Sequence, residues 1–305
     1  MNDVLDANRL RTIGLPGLIL ALAFHPFFAK WIASGASVYG LEATVIFVAE
    51  IVLFGLFISS AVRWIYYIYE GYRVAWITEP FRHVNSKLIY RRKSKQSKLY
   101  AGRRFNELSR SERRRATMLN EYLSDFYLDE DGKPLRPTRL ANVIASYERY
   151  PERRYEVNGI EYWHHIINFA PDHLRKQLDD VVSIAQSLVL ASAATLIVAI
   201  SGVFLASGLA AGEHRVLVTV PVGYSTAIAY ATLGIAGWIV FYRLAVVAHR
   251  EVSSVFRAIT DLAMPAFVAW LKTVQVPLTR EDVTKAREVS YRLAFGVPPP
   301  PAGRA

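Results

Sequence analysis

The sequence predicts an all-α integral membrane protein, with four transmembrane helices in two hairpins and a helical cytoplasmic domain. Three observations carry that prediction. Four long apolar stretches occupy 13–33, 43–68, 181–211 and 216–242 of the 305 residues. They form two pairs around a strongly basic middle, and Lys and Arg gather at one side of the spans only.

Length comes first. A hydrocarbon core about 30 Å thick needs roughly 20 apolar residues in a helix, and each stretch meets that requirement. The last three are long enough to tilt or to continue as helix beyond the lipid. The first is interrupted by His25, Pro26 and Lys30.

Orientation follows from the flanks. Arg9 and Arg11 precede the first span, a dense set from Arg63 to Lys98 follows the second, Arg175 and Lys176 precede the third, and Arg243 and Arg250 close the fourth. The short connections 34–42 and 212–215 contain only Arg215 as a full positive charge. The positive-inside rule therefore puts residues 1–12, the segment 69–180 and the tail 243–305 in the cytoplasm, with two short loops outside. A cleaved signal peptide is the rival for the first span, because Ala33-Ser34-Gly35-Ala36 follows it. The apolar run is longer than a signal core, so an uncleaved anchor in a multi-pass plasma (inner) membrane protein is expected.

The net charge of +10 and pI near 9.7 fall on the cytoplasmic side, where anionic headgroups account for them before nucleic acid does. Between Arg82 and Arg115, 13 Lys and Arg face two acids, Glu107 and Glu112. This run reads as an anionic-lipid collar centred on Arg91, Arg92 and Lys93, as a nucleic-acid patch, or as a solvated linker; no zinc pattern or helix-turn-helix signature supports nucleic acid as a partner. The chain has no cysteine, which removes disulfides, thiolate metal sites and thiol nucleophiles.

Aromatics crowd the exit of the second span: Trp64, Tyr66, Tyr67, Tyr69, Tyr72 and Trp76. A headgroup-level belt explains them, and a ligand groove is the alternative. Pro80 is expected to end the helix. The middle segment then reads as helices. Glu107 to Tyr127 has Leu108, Met118, Leu119, Tyr122, Leu123 and Phe126 at helical spacing, a second helix starts at Thr138 as N-cap, a third covers Glu161 to Phe169, and Pro171-Asp172 opens one that runs into the third span. After the fourth span the helix is expected to continue to a kink at Pro265, followed by a last helix from Arg280 to Phe295 and a proline-rich tail.

The run Pro137-Thr138-Arg139-Leu140-Ala141-Asn142-Val143, with Glu148, Tyr150-Pro151, Arg153-Arg154-Tyr155, Trp163 and Pro171 behind it, resembles a widespread group of uncharacterised bacterial multi-pass membrane proteins. The likeness covers about 35 residues before the third span, with Ala141 where the group has a glycine. It implies a bacterial plasma-membrane protein and carries no catalytic residue. By itself the segment reads as a salt-bridged corner or, through Arg139, Arg153 and Arg154, as a phosphate or anionic-lipid site. His164 and His165 are adjacent, so on a helix they diverge by about 100° and do not share a metal. No metal site or cofactor is expected.

Two features lie within the membrane. His25 and Glu50 sit about eight positions either side of the first outer loop, at similar depth, roughly 12 Å below the surface at 1.5 Å per residue. A carboxylate there is costly and faces a partner, a bundle interior or water, so the pair is a candidate functional site, with an interhelical hydrogen bond as the plainer reading. In the third span Ser183, Ser187, Ala191, Thr195 and Ala199 form a ridge of small residues, matched by Gly223, Ala227 and Ala231 in the fourth. Such ridges serve close helix packing, subunit contacts or a pore lining.

The functional expectation is a non-enzymatic oligomeric membrane protein, a channel or a scaffold and sensor with a basic cytoplasmic domain, forming a homo-oligomer in contact with anionic lipids and a cytoplasmic protein partner. An ion- or proton-coupled transport subunit using Glu50 is the alternative, and a membrane enzyme on lipid or phosphate substrates the third. No nucleophile–base set, metal triad or phosphate loop supports the enzyme.

Overall fold

A computed structural model describes residues 7–33, 41–71, 75–100, 104–124, 136–210 and 224–273. Among them the fold is all-helical, without strands: α1 (Ala7–Ala33), α2 (Leu41–Ser60), α3 (Val62–Glu70), α4 (Ala75–Tyr100), α5 (Arg110–Ser124), α6 (Arg139–Glu148), α7 (Tyr150–Tyr155), α8 (Gly159–Ile166), α9 (Asp172–Ala210) and α10 (Tyr224–Thr273). Two compact units divide the chain, one from 1–74 and 180–249 and the other from 75–179 and 250–305.

Two helices, α9 and α10, are long and apolar enough to cross a membrane. A third candidate arises if α2 and α3 count as one span bent by 52°, and the apolar part of α1 is the shorter stretch Leu10–His25. At 1.5 Å per residue the 39 residues of α9 and the 50 of α10 are about 58 and 75 Å long, well beyond a hydrocarbon core.

The bend was not expected within 43–68. It falls at Ala61, where the Ser60 hydroxyl donates to the Phe57 carbonyl at 2.7 Å and the Ala61 N–H closes a tight turn onto Ile58 at 3.2 Å. Serine competing for a carbonyl in this way loosens the regular ladder and bends helices. The helix also ends earlier than Pro80. Gly71 adopts a left-handed φ of 79° and returns its N–H to the Ile68 and Tyr67 carbonyls, so the chain stops there, and Pro80 becomes the sixth residue of α4. As the sixth residue it forgoes the N–H that would meet the Trp76 carbonyl, and α4 nevertheless runs on through it.

In the first unit, Leu20, Ala23 and Ile58 of the α1–α2 pair share a core with Leu190, Ala194 and Val198 of α9, with Phe24, Phe54 and Tyr230 packed against it. The helices approach closely through glycine. A side chain at Gly17 would collide with the Ile51 carbonyl, and one at Gly55 with Ile13. Between α9 and α10, Gly202 lies against Ala227 and Ala231, Gly234 against Ala199, and Gly237 against Thr195.

In the second unit α4 and α5 pair through Ile89, Leu108 and Ala116, with Asn120 bonded to Gln96 and Tyr100. The amphipathic helix starts at Arg110 rather than Glu107, and Ala116, Leu119 and Leu123 lie on its less exposed side; Leu108 is buried but in the preceding turn, Met118 is 58% exposed, and the side chain of Tyr122 and residues 125–127 lie outside the described residues. Ser109 and Glu112 form its capping box, each accepting the other's backbone N–H. Helices α6 to α8 pack on residues 250–273 of α10, whose Val252, Val255, Phe256, Ile259, Ala263 and Phe267 are buried at steps of three and four. Trp163 stacks on Phe256 at 3.9 Å, Tyr162 meets Phe267 at 5.8 Å, and His165 stacks on Trp270 at 5.4 Å. Pro265 lies on an exposed position, and α10 is continuous through it. Both the expected helix from Arg280 to Phe295 and the short connections 34–40 and 211–223 lie outside the described residues.

Candidate functional site

The first unit holds an ionisable pair within its apolar helices. His25 of α1 and Glu50 of α2 share a hydrogen bond of 2.8 Å between Nδ1 and Oε2. Glu50 is only 8% exposed, and the ring of Phe47, one turn before it, stands nearly perpendicular to the imidazole with centres 5.0 Å apart. The second carboxylate oxygen, Oε1, is buried without a hydrogen-bond partner among the described residues. An acceptor so placed has room in its coordination for one further donor or a small cation.

A second polar layer joins two residues of the expected aromatic set to partners that the sequence did not single out. Tyr66 and Tyr69 of α3 turn inward rather than forming a belt. Tyr66 Oη lies 3.1 Å from Nε2 of His249, a buried histidine on α10. Tyr69 Oη lies 2.8 Å from Ser192 Oγ of α9, and the Tyr69 ring packs on Tyr242. Trp64, at 54% exposure, points outward as a headgroup-level ring would. Neither tyrosine pairing has a local sequence signature, since the partners are 183 and 123 residues away.

The ridge of small residues divides its work. Ser187 donates to the Arg11 carbonyl at 2.9 Å and Ser183 lies 3.3 Å from the Thr12 hydroxyl, so the first half of the ridge meets α1. Thr195 donates to the carbonyls of Ala191 and Ser192 on its own helix, while Thr195 and Ala199 back onto Gly237 and Gly234. Ala227 and Ala231 complete the contact at Gly202, and Gly223 lies outside the described residues.

In the second unit the Pro137 to Tyr155 segment is tied by buried polar groups. Thr138 caps α6, its hydroxyl accepting from Ala141 N at 3.1 Å. Asn142, fully buried, donates to the Arg136 and Thr138 carbonyls at 2.6 Å each and accepts from Arg136 N at 3.1 Å. Tyr150 and Tyr155 both donate to the carboxylate of Asp261 on α10, and Arg257 lies 5.3 Å from the centre of the Tyr150 ring while reaching Ser146 at 3.4 Å. Burial and, after it, the Asp261 carboxylate hold both phenols above their usual range. Arg139 is half-buried, and Arg153 and Arg154 are exposed. The Tyr155 hydroxyl first, and after it Tyr150 and Asp261, help hold the Arg154 guanidinium charged. The basic residues Arg91, Arg92 and Lys93 separate: Arg91 is exposed, while Arg92 and Lys93 are half-buried. Among the described residues no cluster of three or more metal-ligating side chains occurs.

No protein-family model matches this chain, and neither a curated protein nor a solved structure shows significant similarity to it.

Proposed function

We propose that this chain is a four-span bacterial plasma-membrane protein, both termini and the central segment on the cytoplasmic side, that binds and passes a proton or small cation at His25–Glu50. The observation that carries this reading is the buried 2.8 Å His25–Glu50 pair with an acceptor oxygen left over. A purely structural bond in lipid is most cheaply made with both oxygens satisfied, whereas Glu50 keeps one poised for a charge. The oligomeric channel or scaffold is less well supported. Its material was the small-residue ridge, and Ser183, Ser187, Thr195 and Ala199 are engaged by contacts inside the first unit.

The test is flux. In liposomes with an imposed membrane potential and an internal pH-sensitive dye, the wild-type chain should acidify or alkalinise the lumen, and Glu50→Gln should slow that change at least about tenfold, as expected for loss of a positioned proton acceptor. Flux equal in both, or absent from the wild type for protons and alkali cations alike, removes the proposal. In the second case the mass of the assembly in nanodiscs would take the argument back to a ring or scaffold.

A further inference from the structure

The basic run between Arg82 and Arg115 is a helical hairpin, and its charge is not spread evenly. On α4 the positions Val84, Lys87, Leu88, Arg91, Lys95 and Lys98 are all exposed. They recur at steps of three and four, so they form one stripe along the helix. The two apolar positions of the stripe, Val84 at 56% and Leu88 at 38% exposure, flank Lys87 at its first end, and the rest of its length is cationic. The face turned to α5 is different: Ile89 is buried, and Arg92, Lys93 and Gln96 are half-buried. The acids of the segment are occupied in backbone caps, Glu107 accepting from Arg104 N and Glu112 from Ser109 N, each at 2.9 Å.

From this arrangement we propose that the α4 stripe binds the anionic surface of the bilayer, Lys87, Arg91, Lys95 and Lys98 meeting lipid phosphates and carboxylates while Val84 and Leu88 enter the headgroup region. Sign, pattern and tether select this partner. A cationic stripe with an apolar end matches the interfacial geometry of helices that lie on charged membranes. Only residues 72–74 separate α4 from α3, so the hairpin is held by a short covalent tether to the apolar helices and meets lipid at high effective concentration. RNA, the other polyanion of the cytoplasm, offers no layer for Val84 and Leu88 to enter. The inference rests on the membrane-spanning reading of α9 and α10 and is independent of the His25–Glu50 site.

The chain lacks cysteine, so single labels are clean. The full-length protein carrying Leu88→Cys on the stripe, or Ser97→Cys off it, is spin-labelled and placed in nanodiscs of phosphatidylcholine alone or with phosphatidylserine. The expected result is that the label at 88 moves from water-accessible to lipid-accessible when phosphatidylserine is present, that the label at 97 does not, and that raising salt to about 1 M reverses the change. In the Leu88→Cys background K95Q/K98Q should lower the lipid-accessible to aqueous ratio by roughly thirtyfold, each surface cation contributing about a fivefold factor. R92Q/K93Q removes the same charge from the inner face and should retain most of the response. No response to phosphatidylserine in the parent protein overturns the proposal, whatever the variants do. So does equal loss in the two pairs, which would reduce the effect to net charge, or a response at 88 to a single-stranded RNA oligonucleotide but not to lipid.

Discussion

Gly17 of α1 and Gly55 of α2 meet at the crossing of the first two helices, where a Cβ on Gly17 would stand 3.0 Å from the Gly55 nitrogen and 3.1 Å from its Cα. Backbone lies behind backbone there, so no side chain is free to move aside. Gly17→Ala should therefore destabilise the hairpin by about 1–3 kcal/mol, the usual cost of overpacking a tight contact. Gly14, one turn earlier, has open space where its Cβ would go. Gly14→Ala should be neutral or slightly stabilising, because alanine is the better helix former. Reversible unfolding in mixed detergent, followed by circular dichroism, measures both.

The His25–Glu50 pair makes a second prediction, on stability rather than flux. Removing His25 alone leaves a buried carboxylate with neither oxygen paired, so His25→Phe should cost about 1–3 kcal/mol. Replacing both, as in H25F/E50L, removes the polar demand altogether and should recover most of that loss. The same unfolding measurement applies. A double variant as unstable as the sum of its single changes would mean that the two side chains do not interact.

Asp261 accepts from two tyrosines at once, and its removal should be felt at high pH. Both phenols are held above the ordinary tyrosine range, first by burial and then by the carboxylate they donate to. A phenol raised in the folded state contributes stability that is complete below the unfolded value near 10 and is lost as pH climbs through the folded one. Tyrosinate absorbance of the wild type should thus lag that of the unfolded chain, with alkaline unfolding of the second unit accompanying the rise. Asp261→Asn should bring part of that absorbance to lower pH. Tyr155→Phe should remove one phenol from the delayed fraction and leave the behaviour near neutrality unchanged.

Much of the helical layout was legible because it is written locally. Apolar length announces α9 and α10, Thr138 announces the start of α6 by its hydroxyl, and Pro171-Asp172 marks the opening of α9. That His25 and Glu50 could pair was legible because an antiparallel hairpin brings together positions equally far from its turn. The tyrosine contacts were not. Tyr66 finds His249 across 183 residues and Tyr155 finds Asp261 across 106, and nothing in the neighbourhood of either residue names its partner. The bend at Ala61 was hidden for another reason: hydropathy continues through it, and only the competition of Ser60 for a carbonyl interrupts the ladder. Gly17 and Gly55 were likewise invisible as a pair, since each alone is an ordinary glycine in an apolar helix.

The last prediction separates two polar residues of the Pro137–Tyr155 segment. Thr138 makes an N-cap bond that water could replace, and Thr138→Ala should cost about 1 kcal/mol. Asn142 is fully buried and uses its amide in both directions, donating to two carbonyls and accepting from one N–H. Its loss removes three bonds at once, although the half-buried Thr138 carbonyl keeps the Asn142 backbone N–H at 3.1 Å, and Asn142→Ala should cost more than the Thr138 change, about 2–4 kcal/mol. Asn142→Asp keeps the size but removes the donors and sets a carboxylate against the Arg136 and Thr138 carbonyls, so it should be at least as damaging as alanine. Amide hydrogen exchange over α6 to α8 reads the order directly: wild type slowest, then Thr138→Ala, then both Asn142 variants. If Asn142→Asp exchanged as slowly as the wild type, the two donated bonds would not be what holds the turn before α6.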